Sequence, residues 1–393
     1  MHEAIDPAAP LLDRERAAMV LERHGLDALV LAHPLGVFHA TGYEVPLLAA
    51  RHSADAGACA VLPRDPGQPV ALIMPAPIYY ARHAQLHAPE AAQDGGVIAF
   101  LYEDAAGEPA IYRDRGLAPL DPLERVRAQA TRREIARRPP QATAQAALER
   151  ALRQLGVAGG RVGFDHSQPV TVAELRAVKS AAEIARLRIA QRNTSEAALV
   201  AARAARAGAG YGELRAVFNA EVARRGGSGV WMVVDRAITD AWDGRLRDGQ
   251  VFYIDCVSQY GGYHGDYGRT VSLGEPPAVM RRTTAAIHAA WEAIRARLRP
   301  GISYGDIQAT GQAALRAVDG ELGVRITPHS VGLQHTDLPF AAERVLEAGM
   351  VLSIDCPVID TGIGGSAHRE DLVLITGDGC ELLNAPGEEV IVV

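Results

Sequence analysis

One pattern occurs twice in the second half of the chain, and this repeat restricts the possible folds more than any other feature of the sequence. Tyr211-Gly212 recurs as Tyr304-Gly305, and Ile254-Asp255-Cys256 recurs as Ile354-Asp355-Cys356, at similar separations along the chain. In each copy, helix-like segments on both sides of the Tyr-Gly turn lead to an apolar strand that carries an acidic residue. We therefore predict a duplicated domain whose halves face each other across a pseudo-twofold axis, with the acidic strands meeting at the centre.

Both copies are predicted to end in a β-hairpin that brings two acids together. A first turn centred between residues 260 and 261 would pair Asp255 with Asp266, and a second centred between residues 362 and 363 would pair Asp355 with Glu370. Directly opposed residues have Cβ atoms roughly 4.5–5.5 Å apart, where like charges destabilise a sheet. A pair of divalent cations would remove this repulsion, and such a pair also activates water and polarises a scissile carbonyl.

The alternative interpretation is that these acids lie on solvated strand faces, as a lone Asp in a strand usually does. We prefer metal binding because the opposition occurs in both copies and within apolar runs, whose neighbours such as Ile254 and Cys256 should point to the other face and into a core. His329 is a candidate nitrogen ligand, and His335 follows shortly after it. A histidine beside Pro and Gly is more often a structural loop residue, so His329 belongs to the site only if it lies near the acids.

Composition limits the partners and the compartment. With 393 residues, 48% of them apolar, the chain is long enough for two domains with buried cores. The net charge is −7 and the acidic and basic residues are interspersed, which argues against a nucleic-acid partner. No apolar run reaches membrane-spanning length and no basic n-region is present, so we expect a cytoplasmic protein with no membrane partner. The four cysteines have no C-x-x-C spacing and are expected to be reduced thiols in the core.

The first half has the pattern of a separate α/β domain. Short apolar runs such as Asp27 to Ala32 alternate with helix-like segments such as Leu12 to Arg23. Ser180 and Glu183 then have the spacing of a capping box, which predicts the start of a long helix. We predict an α+β protein with an N-terminal α/β domain over residues 1–170 and a catalytic domain over residues 171–393.

At these residues the chain resembles the pita-bread metallopeptidase family, which includes methionine aminopeptidase, aminopeptidase P, prolidase and the metal-free creatinase. The resemblance extends over nearly the whole length. Ala40-Thr41-Gly42-Tyr43 is similar to the N-terminal domain of the creatinase and prolidase branch, and Val178-Lys179-Ser180 is similar to the start of its catalytic domain. The resemblance implies the two-domain creatinase/prolidase-like fold and a metal-ligand set of two Asp, one His and two Glu. The matching residues are Asp255, Asp266, His329, Asp355 and Glu370.

The chain also departs from the family pattern at one metal-ligand position and at positions that bind the substrate. Asp355 stands where the family has Glu and is one methylene shorter. Residues 228–250 contain no counterpart of the substrate-binding His of the Xaa-Pro enzymes. They offer Trp231, Asp235, Asp240 and Trp242 instead, of which Trp242 is assigned to the substrate pocket. His368 stands where the family has Arg, two residues before the last Glu, and is assigned to the same pocket. The resemblance therefore implies a retained metal centre and an altered pocket.

These features predict a metal-dependent hydrolase of C–N amide bonds, closest to Xaa-Pro aminopeptidases or dipeptidases, that acts on a small peptide or amide. The resemblance implies a homodimer and two divalent ions, with Mn expected and Co, Fe or Zn as alternatives. Glu370 and His335, with His329 beside them, would be catalytic: Glu370 would shuttle a proton and His335 would steady the oxyanion. Two alternatives stay open, namely a hydrolase of a small cyclic or guanidino compound, as in the creatinase or ectoine-hydrolase branches, and a catalytically silent pita-bread binding module.

Overall fold

The chain forms two compact units, which divide between Leu175 and Arg176. The computed structural model describes residues 9–44, 57–79, 96–103, 121–239, 243–322, 324–338, 340–358, 364–385 and 387–393. Within these ranges every helix is too short or too polar to cross a membrane.

The N-terminal unit is built on a five-stranded mixed sheet. Its elements are α1 (Arg14–Arg23), β1 (Ala28–Leu31), α2 (Pro34–Thr41), β2 (Cys59–Pro63), β3 (Val70–Pro75), β4 (Val97–Tyr102), α3 (Pro122–Arg137), α4 (Ala144–Gln154), β5 (Val162–Phe164) and α5 (Pro169–Ala177). The strand order is β4-β3-β2-β1-β5, with β1/β5 and β3/β4 parallel. The predicted alternation of apolar strands and helices is confirmed, because β1 is buried at every position and α1 packs against it through residues such as Leu21.

The C-terminal unit contains a nine-stranded sheet with helices around it. Its elements are α6 (Ala181–Arg203), α7 (Tyr211–Arg224), β6 (Ser228–Val234), β7 (Ala237–Ile238), β8 (Val251–Tyr260), β9 (Tyr263–Ser272), α8 (Ala278–Arg295), α9 (Tyr304–Val318), β10 (Thr327–Ser330), β11 (Val351–Val358), β12 (Ala367–Ile375), β13 (Cys380–Leu382) and β14 (Val390–Val392). The main strand order is β10-β11-β12-β9-β8-β6-β7, with β13 on β12 and β14 on β9.

The predicted duplication is present in this unit. Tyr211 and Tyr304 begin α7 and α9, the second helix of each copy. The acidic hairpins β8/β9 and β11/β12 follow these helices, and β9 pairs with β12 through Gly268 and Glu370. The two copies therefore meet at the centre of one sheet, as expected.

Polar caps determine where the helices of the repeat begin. The Ser180 hydroxyl accepts a hydrogen bond from the Glu183 backbone N–H, and the Glu183 carboxylate accepts one from the Ser180 N–H, so α6 begins with the predicted capping box. Ser303 and Asp306 repeat this arrangement at the start of α9. Such a cap satisfies amide groups that the first turn of a helix leaves free.

The register predicted for the second hairpin is confirmed, whereas that of the first is wrong by two residues. Asp355 pairs with Glu370, but Asp255 pairs with Gly268 and Asp266 pairs with Val257. The strands of the first hairpin extend to Tyr260 and Tyr263, so only Gly261 and Gly262 form the turn. Both glycines have positive φ, 55° and 85°, as a two-residue type I′ turn requires.

The faces of these strands are as predicted. Ile254, Cys256, Ile354 and Cys356 have no exposed surface, and the first two lie in an apolar cluster with residues of α6 and α7. All four cysteines of the chain are free, and Cys59 and Cys380 are only partly buried. The acids alternate with these residues and therefore lie on the opposite face of the sheet.

Candidate metal centre

Four residues of neighbouring strands form a row across the middle of the sheet. Asp255 of β8 pairs with Gly268 of β9, Gly268 pairs with Glu370 of β12, and Glu370 pairs with Asp355 of β11. Asp266 lies two residues before Gly268, so it shares their face and is a diagonal neighbour of Asp255. The first hairpin thus keeps its two acids on one face, farther apart than direct opposition would place them.

Asp266, His329 and His335 form a first group of ligand atoms that all lie within 4.8 Å of one another. Asp266 Oδ2 is 2.9 Å from His335 Nε2 and 3.4 Å from His329 Nε2. Gln191 of α6 holds the backbone of Asp266 at both ends, since its side-chain carbonyl accepts from the Asp266 N–H and its amide donates to the Asp266 carbonyl. The backbone of Asp266 is therefore fixed in position, although the residue lies close to the Gly261-Gly262 turn.

Asp255, His368 and Glu370 form a second group, whose ligand atoms also lie within 4.8 Å of one another. His368 Nε2 hydrogen-bonds Glu370 Oε2 at 3.0 Å, and the Ser353 hydroxyl donates to Glu370 Oε1 at 2.7 Å. His329 Nε2 lies 3.5 Å from the same Oε1, so Glu370 reaches both groups. Asp355 Oδ1 lies 3.5 Å from His368 Nδ1.

Several buried polar atoms at this centre make no hydrogen bond among the described residues. An unpaired buried donor or acceptor costs about 1–3 kcal/mol, so a group of them on one face calls for a ligand. Carboxylate oxygens and imidazole nitrogens are donors that divalent metals accept, and these residues therefore fit a metal. The atoms are Asp266 Oδ1, His329 Nδ1, Asp355 Oδ1 and His368 Nδ1.

Burial and mutual repulsion make the acids hard to ionise together. Burial, followed by the charge of Glu370, raises the pKa of Asp255 and that of Asp355 to about 7. The same two causes raise the pKa of Asp266 well above its usual range. Burial also opposes ionisation of Glu370, but the hydrogen bonds from His329 and His368 outweigh it and hold its pKa well below the ordinary value. A cation bound beside these acids would favour the charged form of each of them.

The pKa values of the three histidines are also shifted in different directions. Burial opposes a charge on His329, yet Glu370 and Asp266 beside it raise its pKa to about 9. Burial, with the nearby His329, lowers the pKa of His335 to about 4, so this imidazole is neutral at pH 7. His368 resembles His329, because Glu370 and Asp355 overcome its burial and raise its pKa to about 10.

A buried ion pair supports the loop that carries His335. Lys179 Nζ lies 3.3 Å from Asp337 Oδ2, and both side chains are buried. Lys179 also donates to the Arg176 carbonyl, and the other Asp337 oxygen accepts from the Gln334 N–H. The loop between His329 and Asp337 is therefore held at its far end.

Comparison with known proteins identifies this arrangement. Residues 185–377 match metallopeptidase family M24. The C-terminal unit belongs to this family. A stretch of 156 residues is 33% identical to the probable dipeptidase PepE of Mycobacterium tuberculosis, and it covers 38% of this chain and 41% of that protein. The sequence match thus spans less than half the length of this relative.

Solved structures extend the likeness to both units. The structure of dipeptidase PepE from Mycobacterium ulcerans matches with a TM-score of 0.66 and 21% identity, over 97% of this chain and 96% of that one. The prolidase from Pyrococcus horikoshii matches with a TM-score of 0.65 and 17% identity, over 96% and 99%. These matches confirm the two-domain pita-bread fold predicted from the sequence.

The M24 unit brings together six of the predicted site residues, and a seventh lies beside them. The six are Asp255, Asp266, His329, His335, Asp355 and Glu370. The seventh is His368, predicted for the substrate pocket, which lies among these candidate ligands and is almost fully buried. Trp242 lies outside the described residues.

Two further residues border the centre of the M24 unit. The Trp231 ring, one of the residues that segment 228–250 offers in place of a histidine, makes a T-shaped contact with His335 with ring centroids 4.5 Å apart. Ser353, which donates to Glu370, was missed in the sequence. The two-residue period of a strand could have found it, because it lies two residues before Asp355 and so shares its face.

Proposed function

We propose that the chain is a two-metal hydrolase of C–N amide bonds, of the Xaa-Pro aminopeptidase or dipeptidase type. The observation that carries this proposal is the meeting of two ligand groups, Asp266–His329–His335 and Asp255–His368–Glu370, on one face of the sheet of an M24 unit. The proteins that it resembles, a probable dipeptidase and a prolidase, support a small peptide as substrate.

Both ions would be held by side chains of the duplicated strands. Asp255 and Asp355 would chiefly hold one ion and His329 the other, with Asp266 and Glu370 between them. We expect Mn, with Co, Fe or Zn as alternatives, because oxygen ligands with imidazole suit all four. When bound, such a pair lowers the pKa of water and polarises the scissile carbonyl.

Glu370 is the candidate proton carrier. Its carboxylate stays ionised because its pKa is low, and Ser353 and His368 hold its two oxygens in place. It would accept a proton from the attacking water and pass it to the leaving amine.

His335 is the candidate oxyanion donor. About 28% of its side chain is exposed, more than that of His329, and it is neutral at pH 7. A neutral imidazole has one N–H, and Nε2 lies 2.9 Å from Asp266 Oδ2, so it would donate to the developing oxyanion only once that carboxylate binds metal. The edge of Trp231 against its ring restricts the orientation of the donor.

The direct test is hydrolysis of Xaa-Pro dipeptides by metal-free protein to which Mn, Co or Zn is added back. We expect turnover only with metal, faster with Xaa-Pro than with Xaa-Ala, and a loss of at least ~100-fold in Asp266→Ala, which removes a direct ligand. Asp378→Ala, in an exposed turn, is the matched control and should keep full activity. Metal-bound protein without peptide turnover would reject the proposal.

A second candidate is hydrolysis of a small cyclic or guanidino C–N compound. The observation in its favour is the composition of residues 228–250, which contain no histidine while Trp231 packs against His335. Creatine and cyclic amidines should be assayed beside the dipeptides with the same metal-loaded protein, and turnover of these compounds alone would favour this candidate. The silent binding module predicts neither turnover nor metal, and stoichiometric metal lost in Asp266→Ala would exclude it.

The compartment and the oligomeric state of the enzyme are also proposals. The resemblance to the creatinase and prolidase branch favours a cytoplasmic homodimer. Light scattering after size-exclusion chromatography measures the oligomer directly, and a mass near twice 41.8 kDa is the expected result.

A further inference from the structure

We propose that His368 is a metal ligand, and that it supplies an imidazole to the ion held by Asp255 and Glu370. This inference rests on the two-metal function proposed above. It gives each half of the centre its own imidazole, with His329 and His335 beside Asp266 and His368 beside Asp255. His368 would then belong to the metal site and not to the substrate pocket.

The position of the imidazole is the first argument. Only 2% of His368 is exposed, and its two ring nitrogens face two different carboxylates. Nε2 lies 3.0 Å from Glu370 Oε2, and Nδ1 lies 3.5 Å from Asp355 Oδ1. Asp255 has a carboxylate oxygen within 4.8 Å of ligand atoms of both His368 and Glu370. The ring therefore lies where three carboxylates of the row converge.

The space for this ring comes from Gly268. A Cβ atom at that position would lie 2.1 Å from His368 Cδ2 and 2.3 Å from Nε2, which is closer than atoms in contact can approach. Any residue other than glycine at position 268 of β9 would therefore displace the imidazole. Gly268 and His368 thus depend on each other sterically, and the missing side chain gives the imidazole access to the carboxylates.

The ring is also held in place from its other side. The Thr270 hydroxyl accepts from the His368 backbone N–H, and the ring of Tyr253 lies 5.2 Å from the imidazole. A ligand that its surroundings already fix binds a metal with little further ordering.

Asp355 provides a reason for an additional ligand. Its side chain is one methylene shorter than that of a glutamate, and its Oδ1 atom is buried without a hydrogen-bond partner among the described residues. A carboxylate that reaches less far leaves room in the coordination shell. His368 Nδ1, also without a hydrogen bond, lies next to that atom.

The competing role for His368 is a fixed cation that replaces one of the metals. Both ring nitrogens of His368 lie near a carboxylate oxygen, Nε2 at 3.0 Å from Glu370 Oε2 and Nδ1 at 3.5 Å from Asp355 Oδ1. The two roles predict different numbers of bound ions, which a metal titration counts.

The test is a metal titration of the metal-free full chain, with Zn²⁺, Mn²⁺ and Co²⁺ as separate probes, followed by calorimetry and by the visible spectrum of Co²⁺. For the wild type we expect two ions per chain. In His368→Ala one of the two Zn²⁺ affinities should fall by at least ~10–100-fold, because the loss of a ligand should cost no less than the loss of an outer-shell partner. The other Zn²⁺ affinity should stay within ~3-fold of the wild-type value. Mn²⁺ binding should fall less than Zn²⁺ binding, because imidazole suits Zn better than Mn. His39→Gln, which removes a buried imidazole of the N-terminal unit, is the control and should change neither affinity.

Gly268→Ala provides an independent variant. Its added methyl group should push the His368 ring aside and weaken the same ion, whereas Gly268→Ala combined with His368→Ala should bind no more weakly than His368→Ala alone. Thermal unfolding of each metal-free variant checks that it is folded, and an unchanged Co²⁺ spectrum from the Asp266 group shows that the other site is intact.

Each contrary result has a distinct meaning. One ion per wild-type chain, with a second gained in His368→Ala, would establish the fixed cation and overturn the inference. Two ions in both proteins with equal affinities would also overturn it and would leave the two-metal function standing. No bound ion in the wild type would instead reject the proposed function.

Discussion

Asp266 and Glu370 are buried acids on adjacent strands, yet their pKa values are displaced in opposite directions. Ser353 and His368 hold both oxygens of Glu370, whereas Asp266 Oδ1 has no hydrogen-bond partner among the described residues and Oδ2 lies 2.9 Å from His335 and 3.4 Å from His329. Without metal, the negative charge that the centre holds most firmly is that of Glu370, whereas burial and the charge of Glu370 favour the protonated form of Asp266. The role of each acid is thus determined by what donates to it.

This difference leads to a prediction for Asp266→Asn. Asparagine has the shape of a protonated aspartic acid, so the variant should leave the thermal midpoint of the metal-free protein unchanged or slightly higher. It should nevertheless lose the ion of the Asp266–His329–His335 group and at least ~100-fold of the activity. Calorimetry with and without metal separates the two effects. A large drop in the metal-free midpoint would mean that Asp266 is charged in the metal-free state.

The histidines predict how the stability of the metal-free protein changes with pH. His329 and His368 have pKa values raised to about 9 and about 10, whereas an unfolded chain has histidine pKa values near ~6.5. Between pH 7 and about 8.5 the folded state therefore binds more protons than the unfolded state, and the free energy of unfolding falls as the pH rises. Asp255 and Asp355, with pKa raised to about 7, act in the same direction near pH 7. His335 titrates below this window.

Urea unfolding of chelator-treated protein between pH 7 and 8.5 measures this slope. His368→Gln should make it shallower and His39→Gln should not. Saturating metal should reverse the trend, since metal binding requires neutral imidazole and ionised carboxylate and therefore strengthens as the pH rises. Stability that rises with pH in the metal-free wild type would contradict the assignment of these protons.

At the scale of elements, the two hairpins show which part of the site a sequence can predict. Alternation along β8, β9, β11 and β12 predicts which residues share a face of the sheet. That prediction holds even for the first hairpin, whose register was wrong, because a shift of two residues leaves each side chain on the same face. The register itself depended on the Gly261-Gly262 turn, whose positive φ angles tighten it to two residues. Pairing of β9 with β12, which brings His368 next to Gly268, is a contact between distant segments that the local pattern cannot predict.

The loop after β10 carries the next prediction. Lys179 and Asp337 form a buried pair at its end, and removal of one partner from such a pair costs about 3–5 kcal/mol because the other charge stays buried. Lys179→Met should therefore lower the free energy of unfolding by about that amount and reduce kcat, since His335 loses its support. Metal affinity at the Asp255 group should change little.

Two further variants make this prediction specific to the buried pair. Lys179→Met combined with Asp337→Leu should regain part of the lost stability, because no unpaired charge remains. Arg188→Gln breaks the more exposed pair with Glu381 and should cost less than about 1 kcal/mol. Equal losses in Lys179→Met and Arg188→Gln would show that burial of the pair has no special effect.

At the scale of the whole molecule, the sequence predicts two domains with a boundary after residue 170, and the compact units of the structure divide five residues later, between Leu175 and Arg176. The predicted boundary between residues 170 and 171 followed the last recognisable strand, β5. In the structure, α5 continues across that position, and its residues Val172 and Leu175 pack into the apolar cluster of the N-terminal unit with Leu12 and Leu29. A helix that belongs to the core of the preceding unit has no sequence signal that distinguishes it from the start of the next one.

The position of Leu175 makes the boundary testable with fragments. Residues 1–175 keep the side chain in its cluster, where it is 4% exposed, whereas residues 1–170 lose both Val172 and Leu175. Removal of one buried leucine costs about 2–5 kcal/mol, so the longer fragment should be more stable in urea by at least about 2 kcal/mol. Residues 176–393 contain every proposed ligand and should bind as many ions as the full chain. Equal stability of the two N-terminal fragments would place the boundary at residue 170, and a C-terminal fragment that unfolds without regaining metal would mean that the centre forms only in the complete chain.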